Sequence, residues 1–396
     1  MINILYIAVG EGGSDQALLT LIKELKNRIK PYVVLGRLAS HSTIEKLQSE
    51  NIPYSILKYD FFWYPPQKNI WSYITRPIYT IKLRNKKKHF TQRIIELSKE
   101  NKIDIIHTNS SAYQFGFAAA QLLKIPHIWH LREYQSIDFE HKHAYSLSYL
   151  KKLLNTSGNF NIAITKGIYE FYQLKKKNSI VIYDGVLNKK YEPQKHPKEP
   201  FFLFVGRIVK EKGIFLLLES YKYYLQKGGT FKLIFVGNYS LKTKQKIDQL
   251  IDEEVKKNTI FKGILTTNQT YDLMNRASAL IVPSPFEAFG LITAEAMFNK
   301  CLVIGKDTAG TKEQFDNGQK IQNKEIALRF INEQQLTTHL TNIEKNGPSY
   351  YSEMIQQAYD SVSTLYPIEN NAEQIEHLYL STLSSSNSYI ITEKHK

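Results

Sequence analysis

The chain has 396 residues, of which 42% are hydrophobic and 22% charged, and its formal net charge is +15. This length allows two domains with separate cores, and the composition is typical of a globular protein. The single cysteine excludes an internal disulfide, which favours a reducing, cytoplasmic compartment. No run of about 18 apolar residues occurs, so we expect no membrane-spanning helix. The positive charge indicates an anionic partner: nucleic acid, an acidic membrane surface or a phosphorylated substrate.

The first half of the sequence alternates apolar runs with amphipathic segments. The opening, MINILYIAVG, lacks a basic stretch and predicts a first β-strand, not a secretion signal. Seven strands are predicted, at residues 3–9, 31–37, 52–59, 103–109, 125–131, 160–165 and 179–186. Helical patterns occupy residues 14–28 and 90–102. Near-continuous apolar strands separated by such helices predict a parallel sheet covered on both faces.

Residues 60–90 interleave Trp, Tyr and Phe with Lys and Arg. Aromatic side chains anchor at lipid interfaces, and basic clusters are attracted to anionic lipid. One hypothesis is that this segment docks on the inner face of the cytoplasmic membrane, which would suit a lipid-linked substrate. The alternative is a solvated helix with a few core aromatics.

The polar, Pro-containing stretch at residues 189–200 predicts a linker, after which the alternation restarts. Strands are predicted at residues 201–207, 231–237, 259–265, 277–284 and 301–306. The predicted fold is therefore α/β, with two Rossmann-like, doubly wound parallel-sheet domains facing a central cleft. The predicted domains are residues 1–188 and 201–367. A C-terminal helix at 368–385 is expected to pack back on the first domain, followed by a frayed tail at 386–396.

The stretch FVGRIVKEKGI (204–214) places two cations after a predicted strand. Arg207 and Lys212 would lie at the carboxyl end of a parallel strand, where basic groups neutralise a diphosphate. A solvated turn is the alternative interpretation, because Lys is common in this chain.

The stretch PSPFEAFGLITAEAM (283–297) carries two carboxylates, Glu287 and Glu295. A helix starting near Gly290 leaves Glu287 on the preceding loop and Glu295 about one turn into the helix. The first backbone N–H groups of such a helix are unpaired and suit a phosphate. Each carboxylate offers two acceptor oxygens for vicinal hydroxyls. The pattern predicts a nucleotide-sugar site; the alternative is a pair of unrelated surface acids.

These motifs together resemble the retaining GT-B glycosyltransferases of family 4, also called glycosyl transferases group 1. The resemblance covers nearly the whole chain. It includes GEGGSDQAL (10–18), HLRE (130–133), VIYDGV (181–186), VGR…KEKG followed by E-x7-E, and AGTKEQFDNG (309–318). The sequence departs from the family in three ways: Asp184 stands where Asn is usual, Glu11 lies inside the glycine loop, and GTKEQF is less glycine-rich.

The resemblance implies roles for individual residues. Arg207 and Lys212 would bind the donor diphosphate, Glu295 the ribose and Glu287 the transferred sugar. His130 would donate a hydrogen bond to the sugar near the reacting carbon. Further donor contacts are implied for Phe289, Gly290, Leu291, Gly12 and Gly13. Arg132 and Glu133 would touch the acceptor or pair with each other, and Asn109 is a further acceptor candidate.

The implied activity is hexosyl transfer with retained configuration from a nucleotide-diphosphate-sugar, expected to be a UDP-sugar. The acceptor would be a hydroxyl of a saccharide or lipid-linked substrate in bacterial surface polysaccharide synthesis. No Asp-x-Asp occurs, so we expect neither a metal nor another cofactor. A sugar-nucleotide epimerase or hydrolase of the same architecture, or a non-catalytic nucleotide-sugar-binding subunit, are the alternatives. Dispersed basic residues disfavour nucleic-acid binding, and GEGGSD does not give the G-x-G-x-x-G of nicotinamide enzymes.

Overall fold

The computed structural model describes residues 1–59, 63–64, 74–135, 137, 142–143 and 146–393. The chain forms two compact units. The first comprises Met1–Gly185 together with Ile368–Lys396, and the second comprises Val186–Pro367. Each unit has its own parallel sheet, as the sequence predicts. The predicted cleft between the two sheets stays a prediction.

The first unit alternates strands and helices. Its elements are β1 (Ile2–Ala8), α1 (Gly13–Leu25), β2 (Ile29–Leu35), α2 (His41–Ser49), β3 (Tyr54–Ile56), β4 (Trp63–Tyr64), α3 (Arg76–Glu100), β5 (Ile105–Thr108), α4 (Phe115–Leu123), β6 (His127–Leu131), β7 (Lys142–His143), α5 (Leu147–Leu154), β8 (Asn159–Ala163), α6 (Lys166–Phe171) and β9 (Ser179–Val181).

The central sheet of the first unit has the strand order β3-β2-β1-β5-β6-β8-β9, and every neighbouring pair is parallel. Its middle strands are fully buried, which explains their near-continuous apolar sequences. The register places Tyr6 of β1 opposite His107 of β5. The strand predicted at 179–186 ends at Val181 in the structure.

The second unit repeats the alternation. Its elements are β10 (Glu199–Val205), a 3-10 turn (Lys210–Lys212), α7 (Ile214–Gln226), β11 (Lys232–Val236), α8 (Leu241–Leu250), α9 (Glu253–Asn258), β12 (Thr259–Phe261), α10 (Thr267–Arg276), β13 (Ala277–Val282), α11 (Leu291–Phe298), β14 (Val303–Lys306), α12 (Ala309–Gln322), β15 (Leu328–Phe330), α13 (Glu333–Asn346), a second 3-10 turn (Pro348–Tyr351) and α14 (Ser352–Leu365). The strand order is β12-β11-β10-β13-β14-β15, all parallel.

The C-terminal helix α15 (Ile368–Glu393) belongs to the first unit. One helical face, Ile368, Ala372, Ile375 and Tyr379, is buried in the core that also contains residues of β1 and α1. These positions follow the i, i+4, i+7, i+11 spacing of a single helical face. The helix continues to Glu393, past the predicted end at residue 385. Among the described residues, no helix is long and apolar enough to cross a membrane.

The stretch predicted as a linker, residues 189–200, is part of the second unit. The Tyr191 hydroxyl donates a hydrogen bond to Asn299, and Lys198 Nζ donates to the carbonyls of Asn275 and Lys300 at 2.8 and 2.9 Å. β10 already begins at Glu199. These hydrogen bonds tie the polar stretch to the ends of α10 and α11.

Candidate functional site

Three loops of the second unit follow neighbouring strands. Residues 206–213 follow β10, residues 283–290 follow β13, and residues 307–308 follow β14. These three strands lie side by side and are parallel, so their carboxyl ends share one edge of the sheet. In open α/β sheets, this edge is where ligands bind.

A salt bridge joins two of the loops. Lys212 Nζ lies 2.6 Å from Glu287 Oε1, and the two side chains are 28% and 14% exposed. Gly213 allows this approach, because it has a φ of +74° and a Cβ there would lie 2.0 Å from the Pro283 carbonyl oxygen. Only glycine fits so close to another backbone. The predicted diphosphate cation and the predicted sugar-binding acid therefore contact each other directly.

The Glu287 loop is held by α12. The Gly310 amide donates to the Glu287 carbonyl at 2.8 Å, and Gln314 Nε2 donates to the carbonyls of Phe289 and Gly290 at 2.5 and 3.0 Å. The AGTKEQF stretch is thus the start of a helix. The Phe289 ring is buried against Tyr366, at 5.1 Å between ring centroids. The backbone of Phe289 is therefore the part that could contact a nucleotide-sugar.

α11 begins at Leu291, where the sequence predicts a helix start. Its N-cap is Gly290, with φ 88° and ψ 61° in the left-handed region that glycine adopts without strain. A glycine cap has no side chain to bond the first amides of the helix, and these N–H groups carry the positive end of the helix dipole. The start of α11, next to Glu287, is suited to an anion.

Glu295 lies one turn into α11 and is half-buried. Its described hydrogen-bond partner is the hydroxyl of Tyr271, which donates to Oε1 at 3.3 Å. Burial raises the pKa of Glu295, and the Tyr271 hydrogen bond opposes that rise. Tyr271 was missed from the sequence. It lies on α10 within no motif, 24 residues before its partner.

Arg207 follows Gly206 at the carboxyl end of β10, and its side chain is exposed. Within the described residues it forms no ion pair, in contrast to Lys212. The two cations therefore differ: the Lys212 charge is paired with an acid of the site, whereas Arg207 faces solvent. No group of three or more His, Cys, Asp or Glu side chains that could hold a metal ion occurs in the described parts of the chain.

In the first unit, the glycine loop connects β1 to α1. The buried Asp15 carboxylate accepts the amides of Gly10 and Glu11 at 3.0 and 2.8 Å and so fixes the loop. Burial raises the pKa of Asp15 to about 6. Gly12 and Gly13 are exposed beside it. Asp15 was missed in the sequence, although an acid in the first turn of a helix after a glycine loop was an available signal.

Arg132 is buried, contrary to its predicted contact with acceptor or pairing with Glu133. Its side chain is 2% exposed; Nη1 lies 2.5 Å from Asp184 Oδ1, and Nε donates to Asn109 Oδ1 at 2.6 Å. A buried guanidinium requires an acid partner, and Asp184 is the buried acid beside it. Asn109, also predicted as an acceptor contact, is fully buried and links Arg132 to Asp15.

Glu133 remains accessible. It is partly exposed and accepts hydrogen bonds from the Ser110 hydroxyl and from the Ser111 amide at 3.2 Å. Burial raises its pKa, and these hydrogen bonds oppose the rise. Of the three predicted acceptor residues, Glu133 is the one whose side chain reaches the surface.

His130 lies inside a strand of the first unit. It is the fourth of five residues of β6 and is fully buried. Strand alternation puts His130 on the same face as Ile128, which packs in the core formed with α15. His107 is equally buried on the neighbouring strand, β5.

The second unit contains a match to a known protein family. Residues 187–361 match the model of the family glycosyl transferases group 1. This range contains Arg207, Lys212, Glu287 and Glu295. The family match thus covers every residue predicted for the donor in this unit.

Curated relatives share the description of glycosyltransferase. The chain is 30% identical over 215 residues to an uncharacterized glycosyltransferase of Methanocaldococcus jannaschii, covering 53% of this chain and 58% of that protein. It is 31% identical to the capsular polysaccharide biosynthesis glycosyltransferase CapM of Staphylococcus aureus, over 29% of this chain and 30% of CapM. The chain thus spans about half, or less, of the length of these relatives. A putative teichuronic acid biosynthesis glycosyltransferase of Bacillus subtilis, TuaC, is 23% identical over 72% of each chain.

Solved structures show the fold. HepE of Anabaena, solved in complex with UDP, superposes with a TM-score of 0.75 at 17% identity, covering 96% of this chain and all of HepE. Sucrose-phosphate synthase of Thermosynechococcus elongatus gives a TM-score of 0.75 at 16% identity, covering 97% of this chain and 100% of that one. The two Rossmann-like α/β domains are those of the GT-B fold, as the sequence predicts.

The buried charge of Asp15 leads to a prediction for Asp15→Asn. The folded-state pKa of about 6 exceeds the ordinary value of 3.8, so this group stabilises the fold below pH 3.8 and loses that contribution as the pH rises to about 6. Asparagine does not ionise, so the variant does not lose stability at this position as the pH rises. Relative to the parent, its free energy of unfolding should therefore rise by about 3 kcal/mol between acidic and neutral pH.

Paired urea titrations of parent and variant across that pH range measure this difference. If the difference in free energy of unfolding between the two proteins does not change with pH, the pKa of Asp15 is the same in the folded and unfolded states, and the prediction is wrong.

Proposed function

We propose that this protein is a retaining glycosyltransferase that moves a hexose from a UDP-sugar to a hydroxyl of a saccharide or lipid-linked acceptor. The observation that carries the proposal is the contact of Lys212 with Glu287 next to the uncapped start of α11. A cation, a helix amino terminus and an acid in one place suit a pyrophosphate joined to a sugar. The family match over residues 187–361 supports the same activity.

In the proposed complex, Lys212 exchanges its carboxylate partner for the donor pyrophosphate. Arg207 adds a second charge, and the first amides of α11, at Leu291, supply further donors. Glu287, released from Lys212, accepts hydrogen bonds from the sugar hydroxyls. Glu295 accepts hydrogen bonds from the ribose hydroxyls. These bonds would stabilise the ionised form of a carboxylate whose pKa is raised by burial.

The nucleotide is proposed to be UDP. HepE has been solved with UDP and with UDP-glucose, and it shares the fold of this chain across 96–97% of its length. The relatives CapM, TuaC and the O-antigen chain mannosyltransferase RfbU of Salmonella typhimurium carry names of surface polysaccharide synthesis. These names support a polysaccharide or lipid-linked acceptor, for which the accessible Glu133 is the proposed contact in the first unit.

The proposed mechanism needs charge stabilisation on the leaving group. As the sugar–phosphate bond breaks, negative charge develops on the diphosphate, where Lys212, Arg207 and the α11 amides stabilise it. The acceptor hydroxyl attacks the oxocarbenium-like sugar from the face that the leaving group occupied, and a phosphate oxygen takes its proton. We propose that fixed cations supply the positive charge without a metal ion.

The test is a transfer assay with UDP-glucose and a panel of alkyl glycosides as acceptors. The parent should release UDP only with an acceptor present, keep its rate in EDTA, and give a product with the α configuration of the donor. Lys212→Ala should lower turnover by about a hundredfold, because it removes one charge from the leaving group. Lys210→Ala, an exposed lysine two residues earlier, should stay within about twofold of the parent.

Other outcomes distinguish the alternatives. Equal UDP release without acceptor would indicate a hydrolase or epimerase, and a β-configured product would refute retention. Equal rates in the Lys212 and Lys210 variants would remove Lys212 from the site.

We also propose that the first unit docks on an anionic membrane from the cytoplasmic side. Residues 60–62 and 65–73 of the segment 60–90 lie outside the described residues. In the described part, Ile74, Ile78 and Ile81 are 58%, 59% and 58% exposed and follow an i, i+4, i+7 spacing, which forms one apolar stripe that begins just before α3 and continues along its start. Such a stripe suits a helix lying in a membrane interface.

The charge around the stripe favours anionic lipid as its partner. No Asp or Glu occurs between residues 74 and 95, whereas seven Lys and Arg do. A groove of about 730 Å³ further along α3 is lined by Arg84, Lys87, Lys88 and His89 among others. Each basic residue near an anionic surface contributes about 1 kcal/mol.

A double variant, Ile78→Glu with Ile81→Glu, tests the docking surface. It removes apolar contact and adds two like charges to the anionic surface, so sedimentation with phosphatidylserine-containing vesicles at low salt should fall by about tenfold or more. A matched control, Leu241→Glu with Ile331→Glu, makes the same change at exposed apolar positions of the second unit and should bind as the parent does. Equal binding by all three proteins, or no binding by the parent, would refute docking.

A further inference from the structure

A row of buried polar rings crosses the sheet of the first unit beneath α15. Tyr6 of β1 and His107 of β5 face each other in register, and their ring centroids are 5.1 Å apart. His130 follows on β6, with its ring 5.2 Å from that of His107. Tyr379 of α15 lies over the row, and all four side chains are fully buried. The proposed function gives this row no task.

The hydrogen bonds link the row into a chain. Tyr6 Oη lies 3.0 Å from Tyr379 Oη, which lies 2.7 Å from His107 Nδ1. His107 Nε2 lies 3.2 Å from His130 Nδ1. At the far end, Arg132 Nη2 lies 3.4 Å from the same His130 Nδ1.

Arg132 determines which groups of the row donate hydrogen bonds and which accept them. A guanidinium only donates, so the nitrogen that faces it must present a lone pair. Both imidazoles are neutral, since burial, and then the charge of Arg132, lower the pKa of His107 and His130 well below the ordinary value. A neutral His130 that accepts at Nδ1 carries its proton on Nε2.

The assignment of His130 also determines the roles of the other groups in the row. His107 must donate its Nε2 proton to His130 Nδ1, so His107 Nδ1 is an acceptor. The Tyr379 hydroxyl then donates to His107 Nδ1, and the Tyr6 hydroxyl donates to Tyr379. Once this direction is set, each polar hydrogen of the four rings is donated to the next group of the row, except for the Nε2–H of His130. That atom is buried and has no hydrogen-bond partner in the described parts of the chain.

We propose that Tyr379 is a positioning residue which, with Arg132, holds His130 in the tautomer that presents a free Nε2–H. A buried donor without a partner carries a free-energy cost, and a ligand atom that accepts from His130 Nε2–H would remove this cost at the end of the hydrogen-bonded row. The inference rests on the proposed function in one respect: the ligand atom is a hydroxyl oxygen of a sugar substrate. A tyrosine of the last helix thereby acts on the sugar through two imidazoles without touching it.

The arrangement also explains why the helix that follows the second unit returns to the first. α15 brings the hydroxyl of Tyr379 to His107 Nδ1, which accepts its hydrogen bond in the row. Without that donor, the two tautomers of His107 would lie closer in energy, and His130 would lose its fixed orientation of donor and acceptor.

The test is a measurement of tautomers in the full-length protein labelled with ¹⁵N-histidine. Long-range ¹H–¹⁵N correlation spectra report which ring nitrogen carries the proton, and His107→Gln and His130→Gln variants assign the two signals among the eleven histidines. Both residues should carry the proton on Nε2 in the parent. Tyr379→Phe should move the tautomer ratio of His107 by about tenfold towards Nδ1–H, the effect of one lost hydrogen bond.

Tyr6→Phe is the matched control, because it removes the neighbouring hydroxyl but leaves the bond from Tyr379 to His107. Its tautomers should match those of the parent. A parent His130 with its proton on Nδ1, unchanged tautomers in Tyr379→Phe, or an equal shift in Tyr6→Phe would each overturn the proposal. None of these readings depends on enzymatic activity, so they are separate from a failure of the proposed function.

Turnover gives the second readout. Tyr379→Phe should lower the rate with UDP-glucose by about fivefold to tenfold and leave the dissociation constant of UDP within about twofold, because UDP lacks the sugar. Tyr221→Phe, which removes a hydroxyl bonded to the carbonyls of Phe231 and Asn258 in the second unit, should keep the parent rate. A weaker UDP affinity with unchanged turnover in Tyr379→Phe would contradict the assigned role.

Discussion

The ion pair between Lys212 and Glu287 is the interaction on which the proposed donor site depends. It forms because Gly213 lets the backbone after Lys212 touch the carbonyl of Pro283, where the Glu287 loop begins. The pair is partly exposed, so its net contribution to stability is about 1 kcal/mol or less. The pair matters more for donor binding than for stability. A diphosphate carries more negative charge than one carboxylate and is a stronger partner for Lys212, so the pair is suited to open when a donor arrives.

Rigid surroundings make this exchange specific. Gly310 and Gln314 of α12 bind the backbone of residues 287–290 and keep the loop in place whether or not Lys212 is paired. Only side chains then need to move. Preorganised cations and amides stabilise charge at the moment it develops, because they need little rearrangement.

The first unit uses buried charge in a different way. Arg132 contacts Asp184, Asn109 and His130, and Asn109 continues to Asp15 under the glycine loop. Breaking a buried ion pair by removing one partner costs about 3–5 kcal/mol, so Arg132 and Asp184 are mutually dependent. The aspartate at position 184 thereby has a physical explanation: it neutralises a guanidinium that solvent does not reach. The same guanidinium directs the tautomers of the histidine row.

The sequence predicts the architecture well because buried parallel strands are continuous apolar runs, and these runs are local. It also places Glu287, Gly290, Glu295 and Lys212, since a strand end, a glycine and a helix start are read within a few residues. What it does not reveal is pairing over long separations. Tyr271 and Glu295 are 24 residues apart, Lys212 and Glu287 are 75 apart, and His107 and Tyr379 are 272 apart. The bonds of residues 189–200 to distant helix ends are likewise not visible in the sequence.

A crystal structure of the protein with bound UDP tests the central claim most directly. The account predicts that Lys212 Nζ leaves Glu287 and lies within hydrogen-bond distance of a phosphate oxygen, with the ribose hydroxyls on Glu295 and the phosphate at the start of α11. UDP bound with the Lys212–Glu287 pair intact, or bound away from α11, would contradict it.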